Sequence, residues 1–270
     1  MLTRYAPSPT GHLHLGHVAN AIYVWGLARK AGGRVLLRME DHDRVRCRWE
    51  YEASILEDLA WLGFEPDEGL RPVIRQSDRD HLYRQAVERL RRTHHVYVCD
   101  CSRKRIAAEH YDGFCRSRGL AEAADRGIRV QMDEGGDLLL RDRDGNWTYQ
   151  FAVVVDDMQQ EITHVIRGDD LRSSTERQVR LRRMLGAHGD PAYVHHPLIL
   201  KVTGEKLSKS ASDTGVRDLR SAGLTAPEVI GRAAAAVRLM ESPRPVAARN
   251  VEELFSDFRI PNPGSRTKDA

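Results

Sequence analysis

The chain of 270 residues, 41% hydrophobic and 30% charged, is long enough to bury a sizeable core and to hold more than one structural unit. No window approaches the roughly 18 uninterrupted apolar residues of a membrane span, and Leu2-Thr3-Arg4-Tyr5-Ala6 lacks the charged-then-apolar order of a secretory leader, so a soluble, cytoplasmic protein is expected. The formal charge is only +3, yet 42 basic residues, mostly arginine, give a pI near 8.7, which suits a patchy surface that meets phosphates.

Leu2 to Ala6 reads as a short buried strand stopped by Pro7 and Pro9. Glycines and histidines follow, and a helical apolar pattern starts near Val18. Arg34 to Met39 predicts a second strand around Val35, Leu36 and Leu37, and Ile55, Leu56, Leu59 and Leu62 give Glu50 to Leu62 helical spacing. Strands separated by helices imply a parallel sheet. A helix is predicted from about His81 to Arg92, then a cysteine cluster and a hairpin turning at Asp144-Gly145-Asn146. The apolar, β-branched run Phe151 to Val155 predicts a strand covered on both faces, with Ile162 to Ile166 as another beside it. The sheet thus resumes after an insertion. Beyond Ser210 the chain runs only to Ala270, with a helix predicted near Pro227 to Met240 and a Pro-rich, loose end.

Two segments carry chemistry. Ala6-Pro7-Ser8-Pro9-Thr10-Gly11-His12-Leu13-His14-Leu15-Gly16-His17 joins the first strand to the first helix, where open α/β sheets bind ligands. Gly16 would let a nucleotide lie close to the backbone, and imidazoles beside a helix N-terminus suit phosphate oxygens. Taken alone, the same residues also read as a turn-rich surface loop, and a metal site there lacks further ligands at suitable spacing. Lys201-Val202-Thr203-Gly204-Glu205-Lys206-Leu207-Ser208-Lys209-Ser210 is a polar loop whose lysines suit the charge that develops between an α-phosphate and a leaving pyrophosphate. Lys209 is the main candidate, with Lys206 beside it; a solvated loop is the plain alternative.

Cys99, Cys101 and Cys115 offer three sulfur ligands for a metal site, which fits a reducing compartment better than a disulfide framework does, and zinc takes thiolates in a tetrahedron; three buried free cysteines are the plain alternative. Tyr111, His110 and His94 are the candidates for the fourth position, and Cys47 reads as a free thiol. A filled tetrahedron leaves no place for catalytic water, so the role expected is structural.

The His14-Leu15-Gly16-His17 turn after Ala6-Pro7-Ser8-Pro9-Thr10-Gly11, coupled to Lys206-Leu207-Ser208-Lys209-Ser210, resembles the class I aminoacyl-tRNA synthetases. Arg4-Tyr5-Ala6-Pro7-Ser8-Pro9-Thr10-Gly11, Arg38-Met39-Glu40-Asp41-His42-Asp43-Arg44, Val153-Val154-Val155-Asp156-Asp157 and Thr163-His164-Val165-Ile166-Arg167 narrow the resemblance to the glutamyl branch. It implies an α/β fold, a Rossmann-like parallel-sheet nucleotide-binding domain with a zinc-containing insertion and a short helical C-terminal region. The implied division is 1–85 and 148–215 for the two halves of the catalytic domain, 86–147 for the insertion with its zinc element, and 216–270 for the helical end. It further implies that Arg4, Ala6, Ser8, Glu40, Tyr149 and Arg167 bind glutamate, with Glu40 on the ammonium and Arg4 selecting the side-chain carboxylate. An arginine fork attracts a carboxylate and repels the amide of glutamine. ATP with Mg2+ would be held by His14, Gly16, His17 and Lys209, and catalysis would rest on His14, His17, Lys206 and Lys209.

The cysteine segment with Tyr111-Asp112-Gly113-Phe114-Cys115 is similar to the zinc element of the glutamyl-Q tRNA(Asp) synthetases, where tyrosine is a ligand, so the implied zinc set is Cys99, Cys101, Tyr111 and Cys115. The stretch after Ser210 is too short for the helical anticodon-reading domains of a full glutamyl-tRNA synthetase. The resemblance therefore implies a monomer that activates L-glutamate with ATP and passes it to queuosine in the anticodon of tRNA(Asp). A minimal glutamyl-tRNA synthetase charging a tRNA 3′ end and a catalytically silent tRNA-binding paralogue are the alternatives.

Overall fold

The computed structural model describes residues 1–102, 111–133, 136–199 and 215–264. Strand β1 (Leu2–Tyr5) leads through the histidine turn into α1 (Leu15–Lys30), which returns to β2 (Arg34–Met39); after α2 (Trp49–Leu62) comes the short β3 (Ile74–Arg75). All three strands are parallel in the order β1-β2-β3, the expected outcome of alternating strands and helices. A 3-10 turn at Gln76–Arg79 opens α3 (Asp80–Thr93). An antiparallel meander follows, of β4 (Val96–Cys99), β5 (Gly127–Val130) and β6 (Leu138–Arg141). The predicted turn closes it: Arg141 bridges Trp147, and Gly145 takes φ +84° between them.

The run predicted as a buried strand from Phe151 to Val155 is instead helical, α4 (Tyr149–Gln159). Phe151 to Asp157 are all buried, packed against Tyr83, Leu90, Trp147 and Leu181. A helix covered on every side shows no 3.6-residue period, and its β-branched residues then mimic a strand. The next strand, β7 (His164–Gly168), lies two residues later than the predicted Ile162 to Ile166 and pairs in parallel with β8 (Ala192–His196) across α5 (Thr175–Met184). Thr163 joins the two sheet halves: its hydroxyl accepts from Leu2 N at 2.8 Å, and its own N–H donates to Leu2 O at 3.0 Å. A crevice therefore lies at the carboxyl ends of β1 and β7, where open parallel sheets bind ligands.

After Gly215 come α6 (Val216–Ser221) and α7 (Ala226–Ala236), the latter started by a Thr225/Glu228 capping box and a proline in its first turn. Part of the end expected to be loose is packed, and residues 265–270 lie outside the described residues. A 3-10 segment at Ala248–Phe255 buries Val251 and Phe255 against α1. A Cβ at Gly26 would stand 2.3 Å from the Phe255 ring, so the glycine admits it. The Lys30 ammonium holds the same segment by donating to the carbonyls of Phe255, Ser256 and Phe258.

Candidate active site

The crevice is a cavity of about 620 Å³. Arg4, Ala6 and Ser8 line it from β1 and the turn after it, His14, Gly16 and His17 from the start of α1, Glu40 from the end of β2, Tyr149 from the first turn of α4, and Arg167 from β7. Segments as much as 163 residues apart are thus brought to one wall. Lys206 and Lys209 lie outside the described residues. Ile199, just before that stretch, lines the cavity, and Gly215, just after it, bridges His14.

The helix begins at Leu15 rather than near Val18 because the two histidines cap it reciprocally. Gly16 N donates to His14 Nδ1 at 3.1 Å, and His14 N donates to His17 Nδ1 at 3.1 Å, with ring centroids 3.9 Å apart. Both Nδ1 atoms accept, so in each neutral ring the proton sits on Nε2. Gly16 serves this cap: a Cβ there would meet His14 Cε1 at 2.9 Å.

Beneath the cavity lies a buried charge network. Arg38, with no exposed surface, donates to Glu40 Oε1 and Asp157 Oδ1, both at 2.9 Å, and to Gln160 at 2.6 Å. Arg4 Nε donates to Asp157 Oδ1 at 3.1 Å, and its Nη1 to the carbonyl of Ile166 at 3.3 Å. Asp156 accepts from Arg79 at 2.6 Å, from the Tyr83 hydroxyl at 2.9 Å and from Gln76 at 2.8 Å. Three arginines thus face three carboxylates. Burial opposes ionisation of Asp157, and Arg4 and Arg38 override it, holding the carboxyl below its usual range. Burial, with Glu40 nearby, pushes the Tyr149 hydroxyl up, so it stays a neutral donor in the wall.

Arg167 differs. It is 4% exposed, and its partners are all neutral: Gln178 Oε1 at 2.6 Å, Thr175 Oγ1 at 2.8 Å and His195 Nε2 at 3.3 Å, with the Tyr193 ring centroid at 5.3 Å. Burial first, then the charges of Arg167 and Arg172, drive the His195 pKa down to about 4, so this ring accepts rather than competes. Among the described residues no carboxylate pairs with Arg167. A buried cation of that kind makes this wall a favourable place for an anion. Sequence reasoning did not find Thr175, Gln178 or His195. Arg167 and His195 are direct partners in the β7–β8 register, a pairing that only the tertiary fold sets.

A second cluster sits in the antiparallel meander. Sγ atoms of Cys99, Cys101 and Cys115 lie within 4.8 Å of one another, all buried, with Cys101 and Cys115 at 3.5 Å. The Tyr111 hydroxyl is 3.5 Å from Cys99 Sγ and 3.6 Å from Cys101 Sγ. Sulfurs bound to zinc at 2.3 Å in a tetrahedron are about 3.8 Å apart, so the four atoms fit a zinc ion. His94 is not in the cluster and instead contacts Thr93 at 2.8 Å; His110 lies outside the described residues.

Residues 1–119 and 116–230 match the family model of class I tRNA synthetases (E and Q), catalytic domain. The glutamyl-Q tRNA(Asp) synthetase of Nitratidesulfovibrio vulgaris is 37% identical over 96% of this chain and 93% of its own length. Glutamate–tRNA ligase 1 of Nitrosococcus oceani is 40% identical over 82% of the chain, which spans only 53% of that longer protein. The crystal structure of a glutamate tRNA ligase from Elizabethkingia meningosepticum in complex with its amino acid superposes with a TM-score of 0.79 at 27% identity, covering 98% of this chain and 66% of that one. Among the described residues no helix is long and apolar enough to cross a membrane. The chain therefore belongs to the class I tRNA synthetases of the E and Q type, as a ligase whose similar relatives include glutamyl-Q tRNA(Asp) synthetases.

Proposed function

We propose that this ligase activates L-glutamate with Mg-ATP and transfers it to queuosine in the anticodon of tRNA(Asp). The observation that carries the amino-acid half is Arg167, a buried cation in the cavity wall with neutral partners only among the described residues. Glutamate brings two carboxylates and one ammonium. Glu40, in the same wall, suits the ammonium. The α-carboxylate then attacks the α-phosphate of ATP, and Arg4 and Arg167 take the side-chain carboxylate. Arg4 already shares Asp157, so counting charges supports giving Arg167 the larger part of the selection against glutamine.

The Nε2–H groups of His14 and His17, at the positive end of α1, suit phosphate oxygens as charge builds in the transition state. Lys206 and Lys209 would neutralise the leaving pyrophosphate; one flank of their segment, Ile199, lines the cavity and the other, Gly215, bridges the cavity residue His14, which supports that role. Pyrophosphate departs, and a hydroxyl of the acceptor attacks the acyl carbon of glutamyl-adenylate, releasing AMP. Zinc on Cys99, Cys101, Tyr111 and Cys115 would serve as a clamp on the meander, outside the chemistry.

The queuosine acceptor is supported by relatives bearing that name that match over more than nine-tenths of their length. The 40% identity to glutamate–tRNA ligases favours a second acceptor, the terminal ribose of a tRNA. Glutamate transfer to tRNA(Asp) with and without queuosine separates them. Labelling that requires queuosine and survives removal of the terminal adenosine is the expected result; labelling of unmodified tRNA(Glu) at its 3′ end would overturn the queuosine reading.

A further inference from the structure

Among the described residues four arginines are buried: Arg4, Arg38, Arg129 and Arg167. The first two face carboxylates, and Arg167 faces the amino-acid cavity. Arg129, 2% exposed on β5, is far from that chemistry and is also without a carboxylate partner among the described residues. Its Nη1 donates to the carbonyl of Asp137 at 3.0 Å, while Nε and Nη2 are buried with no hydrogen-bond partner. The nearby Asp137 carboxylate is spoken for by Arg116 at 2.8 and 3.0 Å, by the Tyr97 hydroxyl and by Met132 N.

What Arg129 does face is the cysteine cluster. It stands opposite Tyr97 in the β4–β5 register, on the face that Tyr97 shares with Cys99 two residues on. Its guanidinium carbon lies 3.8 Å from the centroid of the Tyr111 ring. Three neutral thiols give such a cation nothing to balance. Three thiolates on one divalent ion carry a net charge of −1, and a phenolate fourth ligand makes it −2. Arg118, whose Nη1 is 3.3 Å from Cys115 Sγ, is already neutralised by Asp100 at 2.5 Å.

We infer that Arg129 is the built-in counter-ion of an anionic zinc–thiolate complex, a positioning residue that makes the buried site favour the metal-loaded state. This rests on the zinc reading of Cys99, Cys101, Tyr111 and Cys115. Residues that surround metal ligands typically contribute about 10- to 100-fold to metal affinity. Zinc affinity of the whole protein, measured by competition with a chromophoric chelator, should fall by that factor in Arg129→Gln and stay near native in Arg129→Lys, which keeps the charge. Cobalt-substituted protein should show thiolate-to-metal absorption in both variants, because the ligands themselves are untouched. Native affinity in Arg129→Gln, or equal losses in both variants, would overturn the counter-ion. If the glutamine variant does not fold, the lysine variant alone decides: near-native affinity supports the inference and a tenfold loss overturns it. Native protein that binds neither zinc nor cobalt stoichiometrically would instead remove the zinc reading itself, and the counter-ion with it.

Discussion

Replacing Arg167 with glutamine tests how the cavity chooses its amino acid. The substitution keeps a polar, hydrogen-bonding side chain near Gln178, Thr175 and His195, whose distances to the native guanidinium are 2.6, 2.8 and 3.3 Å, and removes only the charge and the fork. Because Arg167 is 4% exposed, solvent screens it little. Leaving the glutamate side-chain carboxylate unpaired there costs about 3 kcal/mol, which is on the order of 100-fold in glutamate affinity. The side-chain contact is made before and during adenylation alike, so the loss should fall on KM more than on kcat. Pyrophosphate exchange into ATP, run against glutamate and against glutamine, reads both quantities. The expected outcome is a KM for glutamate raised about 100-fold and a smaller preference over glutamine, since the amide no longer faces a cation. An unchanged glutamate KM with full discrimination, in a variant that melts like the native protein, would refute the counter-charge reasoning.

Lys209→Ala should abolish pyrophosphate exchange while glutamate binding, followed by calorimetry, persists; near-normal exchange would remove the role given to the lysine loop. Gly16→Ala should press a methyl group on the His14 ring, where a Cβ meets Cε1 at 2.9 Å, and lower the rate of adenylation more than the affinity for glutamate. Elemental analysis should find one zinc per chain, and Cys115→Ser should lose it together with stability of the meander; metal-free native protein would contradict this. Asp58 on α2 is buried with neither carboxylate oxygen hydrogen-bonded among the described residues, and burial, opposed by Arg217, pushes its pKa up to about 6. The folded state therefore binds this proton more tightly than the unfolded chain, whose value is 3.8, and the resulting penalty grows as pH rises through that window and is complete above about 6. The displacement corresponds to about 3 kcal/mol, of which an unpaired amide takes back about 1–2 kcal/mol. Asp58→Asn should thus unfold at higher denaturant at pH 8, with the gain gone at pH 4; a pH-independent difference would show that Asp58 does not titrate in this range.

The sequence by itself determined the parallel β1-α1-β2-α2 start, the turn at Gly145 and the family, because these depend on local periodicity, turn chemistry and runs of adjacent residues such as His14 to His17. It also nominated the cavity residues from Arg4 to Arg167, since each lies in a short recognisable segment. It misread Phe151 to Val155 because a helix buried on every face carries no period, and it left the end loose because Phe255 packs into a space that the missing side chain of Gly26 on α1 leaves open. Which arginines are paired was beyond it altogether. Arg4 finds Asp157, Arg167 finds His195 across a strand register, and Arg129 finds Tyr111 and the cysteines, through contacts that join distant parts of the chain. Charge balance inside a protein is a property of packing. Only the tertiary structure could decide which buried cations lack an anion of their own among the described residues.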